Sequence, residues 1–251
     1  MTHDPHTRGL PRRSVSPRAA AVAVTRAADA LVDCYARLAQ ERIHLLAPIL
    51  EDRTPVQWEH YPGDDAINRD RRYQWFYHSH DPEDRAGAGE HGHIHLFARM
   101  EGIAGDLDER AERDFLRSLG TRHRAAKTRH LLAIGLNPVG VPISLFTVNR
   151  WVTGDLPLAG DTTIALLEVL RLDTGYSVLD TVIQSILGLY RAEIRNLITE
   201  RDAALLARAA RGAGALEDRT LEVPAFLRLD VDRRLADVLR AHARRRARSD
   251  K

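Results

Sequence analysis

Apolar residues recur at helical spacing from Pro17 to Ile49, where Val24, Ala28, Leu31, Cys34 or Tyr35, Leu38, Ile43 and Leu46 fall on one side. Such a stripe predicts one long amphipathic helix, stopping near Pro48 because proline cannot donate to the helical ladder. The segment "TPVQWEHYPGDDAI" breaks the rhythm with two prolines and a Gly-Asp-Asp turn, so it reads as a loop. Beyond it the period changes to two. Tyr73, Trp75 and Tyr77 alternate with Gln74, Phe76 and His78, which predicts a strand rich in aromatics. After the loop "DPEDRAGAGE" the alternation resumes in "HGHIHLFAR", with His91, His93, His95 and Phe97 on one face and Ile94, Leu96 and Ala98 on the other.

The charged stretch "DLDERAERDFLRSLGTRHRAAKTR" has a solvated helical pattern. "HLLAIGL" and "PISLFTVNRWVTG" then read as two strands joined by the turn "NPVGV", the second placing Thr147, Asn149 and Trp151 on one face and Arg150 on the other. From Asp161 the pattern is helical. "TTIALLEVLRL" is short, Ser177 to about Ala210 carries a stripe from Leu179 to Ile198, and "VDRRLADVLRAHARR" closes the chain. The fold class expected is α+β: a small antiparallel sheet of about four strands in two hairpins, flanked by a long N-terminal helix and a helical C-terminal half. Residues 1–17 read as a disordered leader, 18–245 as a single domain with its sheet at about 70–155 and its helical part at about 161–245, and 246–251 as a basic tail.

Composition narrows the class without naming a reaction. With 251 residues, 44% of them hydrophobic, the chain can bury a core, and no apolar run approaches the roughly 20 residues of a membrane span. "LPRRSVSPRAAAVAV" has a twin-arginine look, but Arg26, Asp29 and Asp33 interrupt any apolar core of an export signal. The single cysteine, Cys34, has no intrachain partner and suits a reducing cytoplasm. A net charge of +2, from 37 basic and 35 acidic residues, supplies no field for nucleic acid, and the basic ends lack interleaved aromatics.

The chemistry concentrates in "YHSHDPEDRAGAGEHGHIHLF". Residues two apart on a strand share a face, so His78 pairs with His80, and His91, His93 and His95 form a second set. Closing the intervening loop as an antiparallel hairpin sets His80 opposite His91 and His78 opposite His93. Directly opposed β-carbons are about 4.5–5.5 Å apart, close enough for imidazole nitrogens to meet on one ion. Neutral imidazole suits divalent Fe, Zn, Cu and Ni, and no thiolate lies nearby to argue for a structural zinc knuckle. The metal ligands expected are His78, His80, His91, His93 and His95. Glu90 is the nearest oxygen ligand or catalytic base, and His60, Asp64 and Asp65 lie in the preceding loop. Asn149 and Arg150 are candidate substrate-binding residues for a carboxylate or phosphate, with Arg150 also in a catalytic role.

Three resemblances follow from these residues. "HGHIHLF" resembles the histidine-triad signature, which implies a metal-free phosphoramidate or nucleotide hydrolase with His93 as nucleophile; Gly92 departs from the bulky residue usual there, and His78 and His80 stay unexplained. The paired HxH segments are similar to cupin metal sites in geometry, but "NPVGVPISLFTVNRW" holds no histidine to match the second cupin motif. As a whole, "WEHYPGDD", "YQWFYHSH", "EHGHIHLFAR" and "PISLFTVNRWVTG" are similar to an uncharacterised bacterial family, which implies no particular activity. Three functions therefore stand: a metal-dependent non-haem enzyme acting on a small polar substrate, a metal-binding or sensing protein without turnover, and a triad-type hydrolase.

Overall fold

In the computed structural model, which describes residues 16–80, 89–121, 126–212 and 214–249, the N-terminal stripe folds as α1 (Pro17–Glu41). Ser16 caps it by accepting from the Ala19 amide at 3.3 Å, and Pro17 sits in the first turn, where no donor is needed. The helix ends earlier than its apolar pattern predicts. Arg42 adopts a left-handed conformation with φ of 55°, and Pro48 opens the short α2 (Ala47–Leu50) instead of ending α1. The leader through residue 15, most of the loop after His80 (residues 81–88) and the last two residues lie outside the described residues.

Six strands, not about four, form one sheet in sequence order, each antiparallel to its neighbours: β1 (Tyr61–Ile67), β2 (Tyr73–Ser79), β3 (Gly92–Arg99), β4 (Thr128–Leu136), β5 (Pro142–Thr147) and β6 (Ala225–Arg228). The four inner strands are the expected ones, whereas the two edges escape the pattern for different reasons. β1 contains Pro62, Gly63 and two aspartates and pairs with β2 around an irregularity between Tyr61 and Ala66, which an edge strand tolerates. At four residues, β6 is too short to display alternation.

The long N-terminal helix and much of the helical C-terminal half pack on one side of this sheet. Trp75 donates its indole N–H to Asp180 Oδ1 at 3.0 Å on α7 (Ser177–Leu189), and Tyr73 donates to the Leu166 carbonyl at 3.0 Å on α6 (Gly160–Val169). Leu31 and Cys34 of α1, Ile183 of α7, Ile198 of α8 (Arg191–Ala209) and Trp75, Ile94 and Leu132 of the sheet belong to one buried apolar cluster. Each large side chain in it contributes about 1.5–3 kcal/mol relative to exposure. The helical run expected from Ser177 to about Ala210 is broken at Tyr190, which joins α7 to α8. The remaining helices are α3 (Met100–Ile103), α4 (Glu109–Ser118), α5 (Arg150–Thr153) and α9 (Val231–Ser249). Among the described residues, no helix is long and apolar enough to cross a membrane.

Candidate metal centre

The face of the sheet away from these helices carries the histidines. β2 and β3 pair in the register expected, with His78 opposite His93, and the two Nε2 atoms lie 2.7 Å apart. His95 follows two residues later on the same face, its Nε2 2.9 Å from His93 Nε2. His80, just beyond β2, brings its Nε2 within 3.2 Å of His93 Nδ1. His78, His80 and His93 each offer a nitrogen within 4.8 Å of the others, a group that could hold a metal ion.

A further histidine joins from β4. His130 Nε2 lies 2.9 Å from His95 Nδ1, and its ring packs against Phe97. The sequence pattern hides it, because in "HLLAIGL" His130 has the parity of Leu132 and Ile134, which face the helices. Leu96 pairs with Leu132 but Phe97 pairs with His130, so the register shift at Leu131 turns His130 to the other side. An unusual polar residue opening an otherwise apolar strand was the one signal available.

His91 does the reverse. Alternation puts it beside His93, yet its Nδ1 lies 2.7 Å from the Tyr77 hydroxyl, and Tyr77 belongs to the helix-facing side. β3 begins only at Gly92, so strand parity does not extend back to residue 91. Gly92 is required there, since a Cβ would stand 2.4 Å from both the Tyr77 hydroxyl and the His78 carbonyl oxygen.

Glu90 is buried beneath His93, with each side chain 3% exposed, and its Oε1 lies 2.8 Å from His93 Nδ1. An ionised carboxylate only accepts, so opposite ionised Glu90 it is Nδ1 that carries a proton, which in a neutral ring leaves the lone pair on Nε2. Ser144 on β5 donates to the other oxygen, Glu90 Oε2, at 3.1 Å. The carboxylate occupies the space that Gly135 leaves open: a Cβ on Gly135 would stand 2.1 Å from Ser144 Oγ and 2.4 Å from Glu90 Oε2. Burial holds His95 well below the ordinary imidazole range, reinforced by His130 and the other nearby histidines. Burial, then the charge of Arg201, lowers His130 to about 3. Neutral rings are the form that ligates.

Two nitrogens bound to one ion at about 2.0–2.1 Å lie about 2.9 Å apart at a right angle and about 3.3 Å apart at the tetrahedral angle. The 2.9 Å separation of His93 Nε2 from His95 Nε2 matches the right angle, and the 2.7 Å separation from His78 Nε2 falls just short of it. Beside them His78 and His95 line a groove of about 330 Å³, with Trp58, Phe76 and Phe97 as aromatic walls. Its polar groups include Asp65, Gln74, Thr128 and Asp155. His60 stacks on Phe76 at 3.6 Å and bonds Asp65 at 3.0 Å, while Asp64 is exposed beside them.

Asn149 and Arg150 are engaged elsewhere. The strand expected through Trp151 ends at Thr147, because Asn149 caps α5 by accepting from the Arg150 amide at 2.8 Å. Asn149 is 1% exposed and donates to the Ala215 carbonyl at 2.9 Å, Arg150 pairs with Glu217, and Trp151 donates to the Asp218 carbonyl at 3.0 Å. The shared face of Thr147, Asn149 and Trp151 is therefore not formed, and neither Asn149 nor Arg150 is among the described residues lining the groove.

No curated protein matches the chain, and no solved structure matches it. The family model described as Domain of unknown function (DUF6969) matches residues 25–229, a span that holds all six strands and every histidine of the cluster, and the chain belongs to that family.

Proposed function

We propose that the cluster holds one divalent transition-metal ion (Fe, Zn, Cu or Ni) and that the chain is a metal-dependent, non-haem enzyme acting on a small polar substrate. The observation that carries this reading is the meeting of His78, His93 and His95 through Nε2, with the far nitrogens of His93 and His95 engaged by Glu90 and His130. A ligating histidine whose other nitrogen is held by a carboxylate or a second acceptor has its tautomer and ring orientation set, which sharpens metal affinity. His80, whose Nε2 lies 3.2 Å from His93 Nδ1 and which groups with His78 and His93 within 4.8 Å, stands beside these three. Such an ion supplies Lewis acidity or activates water or dioxygen when bound. Glu90 then acts as a positioning residue, and Asp65, Gln74 and Thr128 in the groove replace Asn149 and Arg150 as the groups that meet the substrate.

A metal-binding protein without turnover needs only the histidines; the groove beside His78 and His95 is what favours catalysis. The triad-type hydrolase needs His93 to face an anion, whereas its ring is 2% exposed and enclosed by His78, His80, His95 and Phe146 at centroid distances of 4.4 to 4.9 Å. Elemental analysis of the purified protein, beside a His78→Ala/His93→Ala variant, tests the reading. Near-stoichiometric metal that disappears in the folded variant is the expected result. Absence of metal from the native protein, and after reconstitution with each of the four ions, overturns it.

A further inference from the structure

On the helical side of the sheet, α1, α6, α7 and α8 enclose a cleft of about 200 Å³. Its floor is apolar, formed by Ala27, Ile164, Leu167, Leu187 and Ile194, and Gly188 keeps α7 close to α1: a Cβ there would stand 2.9 Å from the Ala27 Cβ. Its polar part is strongly one-sided. Arg171, Arg191 and Arg195 stand against Glu168, the one acidic side chain among the described lining residues.

The Glu168 side chain, 15% exposed, already shows how this wall receives a carboxylate. Its Oε1 accepts from Arg191 Nε at 3.2 Å, its Oε2 lies 2.9 Å from Arg191 Nη2, and Arg195 Nη2 pairs with it from the next turn of α8. Each guanidinium carries five N–H donors, so Glu168 occupies only part of what Arg191 and Arg195 present. Arg171 uses Nη1 on the Leu170 carbonyl at 2.6 Å and adds a third positive charge to the rim. One carboxylate against three guanidiniums leaves an excess of two positive charges above an apolar floor.

We infer that this cleft is a binding site for a small anionic amphiphile, a monocarboxylate whose hydrocarbon part lies on the Ala27–Leu167–Ile194 floor and whose head pairs with Arg171, Arg191 and Arg195. The charge excess selects for an anion, and the floor rewards a chain that leaves water. The site is separate from the histidine cluster, which lies across the sheet, so it stands or falls independently of the metal reading.

Titration of the full chain with sodium decanoate below its micellar concentration, read by calorimetry and by thermal shift, tests the inference. Decanoate is expected to bind saturably and at least about tenfold more tightly than decanol, the worth of one charge-assisted hydrogen bond. An Arg191→Gln/Arg195→Gln variant is expected to lose that margin. Ala23→Trp, at the exposed rim, is expected to block the cleft without touching the arginines, and so serves even if the double variant fails to fold. The His78→Ala/His93→Ala variant is expected to bind decanoate unchanged. Binding that fails to saturate, that is equal for decanol, or that is indifferent to Ala23→Trp overturns the inference.

Discussion

Tyr73, Trp75 and Tyr77 face the helices, whereas Gln74, Phe76 and His78, alternating with them on the same strand, face the histidine cluster, and burial acts oppositely on the two sides. On the helical face each polar tip finds a partner of complementary type: Trp75 donates to Asp180 and Tyr73 to the Leu166 carbonyl. On the other face Gln74 donates to Asp65, while the partners of His78, His93 and His95 include one another's imidazole nitrogens. His93 Nε2 meets His78 Nε2 and His95 Nε2, groups that a hydrogen bond serves only if one of each pair gives up its lone pair. One face of the sheet joins polar tips to acceptors of complementary type, and the other gathers buried imidazole nitrogens that could hold a metal ion.

Five substitutions test that contrast. The largest effect on stability belongs to the helical face: Trp75→Ala removes a fully buried indole and is expected to cost about 3–5 kcal/mol in denaturant unfolding of metal-stripped protein. In the same preparation His95→Phe is expected to cost less, about 1–3 kcal/mol, because the apolar ring keeps the volume filled while the buried nitrogens of His130 and His93 lose a partner. Equal losses for the two would erase the distinction between the faces.

Next comes Glu90→Gln, which keeps the shape beneath His93 but not the charged acceptor. Metal affinity, measured by competition with a chromophoric chelator, is expected to fall about 10–100-fold while the fold persists. Unchanged affinity would return Glu90 to a purely structural role. Gly135→Ala drives a methyl group into Glu90 and Ser144 and is expected to cost about 1–3 kcal/mol of stability, with a parallel loss of metal. Full metal occupancy in that variant would show that Glu90 does not need its present seat.

The smallest effect is expected from Arg150→Ala. Its pairing with Glu217, whose side chain is 56% exposed, is worth at most about 1 kcal/mol, and metal content should not change. A loss of bound metal there would place the start of α5 within the site after all.

Much of the site was legible because a strand's period of two is local. The spacing of His78 and His80, and of His93 and His95, together with the loop between the strands, was enough to predict that His78 would oppose His93. The aromatic alternation likewise marked which residues of β2 meet the helices. The edges were not legible: β1 carries turn residues and β6 is too short for a pattern, and both exist because a neighbouring strand offers them an unpaired ladder.

The amino-acid sequence by itself determined the α+β class, the four inner strands and the histidine pairing, since periodicity and composition act over neighbouring residues. Only the tertiary structure decided which histidines belong together. The register shift at Leu131 turns His130 in, and Gly92 lets His91 swing out to Tyr77. The room left by Gly135 seats Glu90 behind His93, and the cap formed by Asn149 withdraws Arg150 to Glu217. Each of these depends on contacts between residues far apart in the chain, where a one-residue change of register reverses the face a side chain presents.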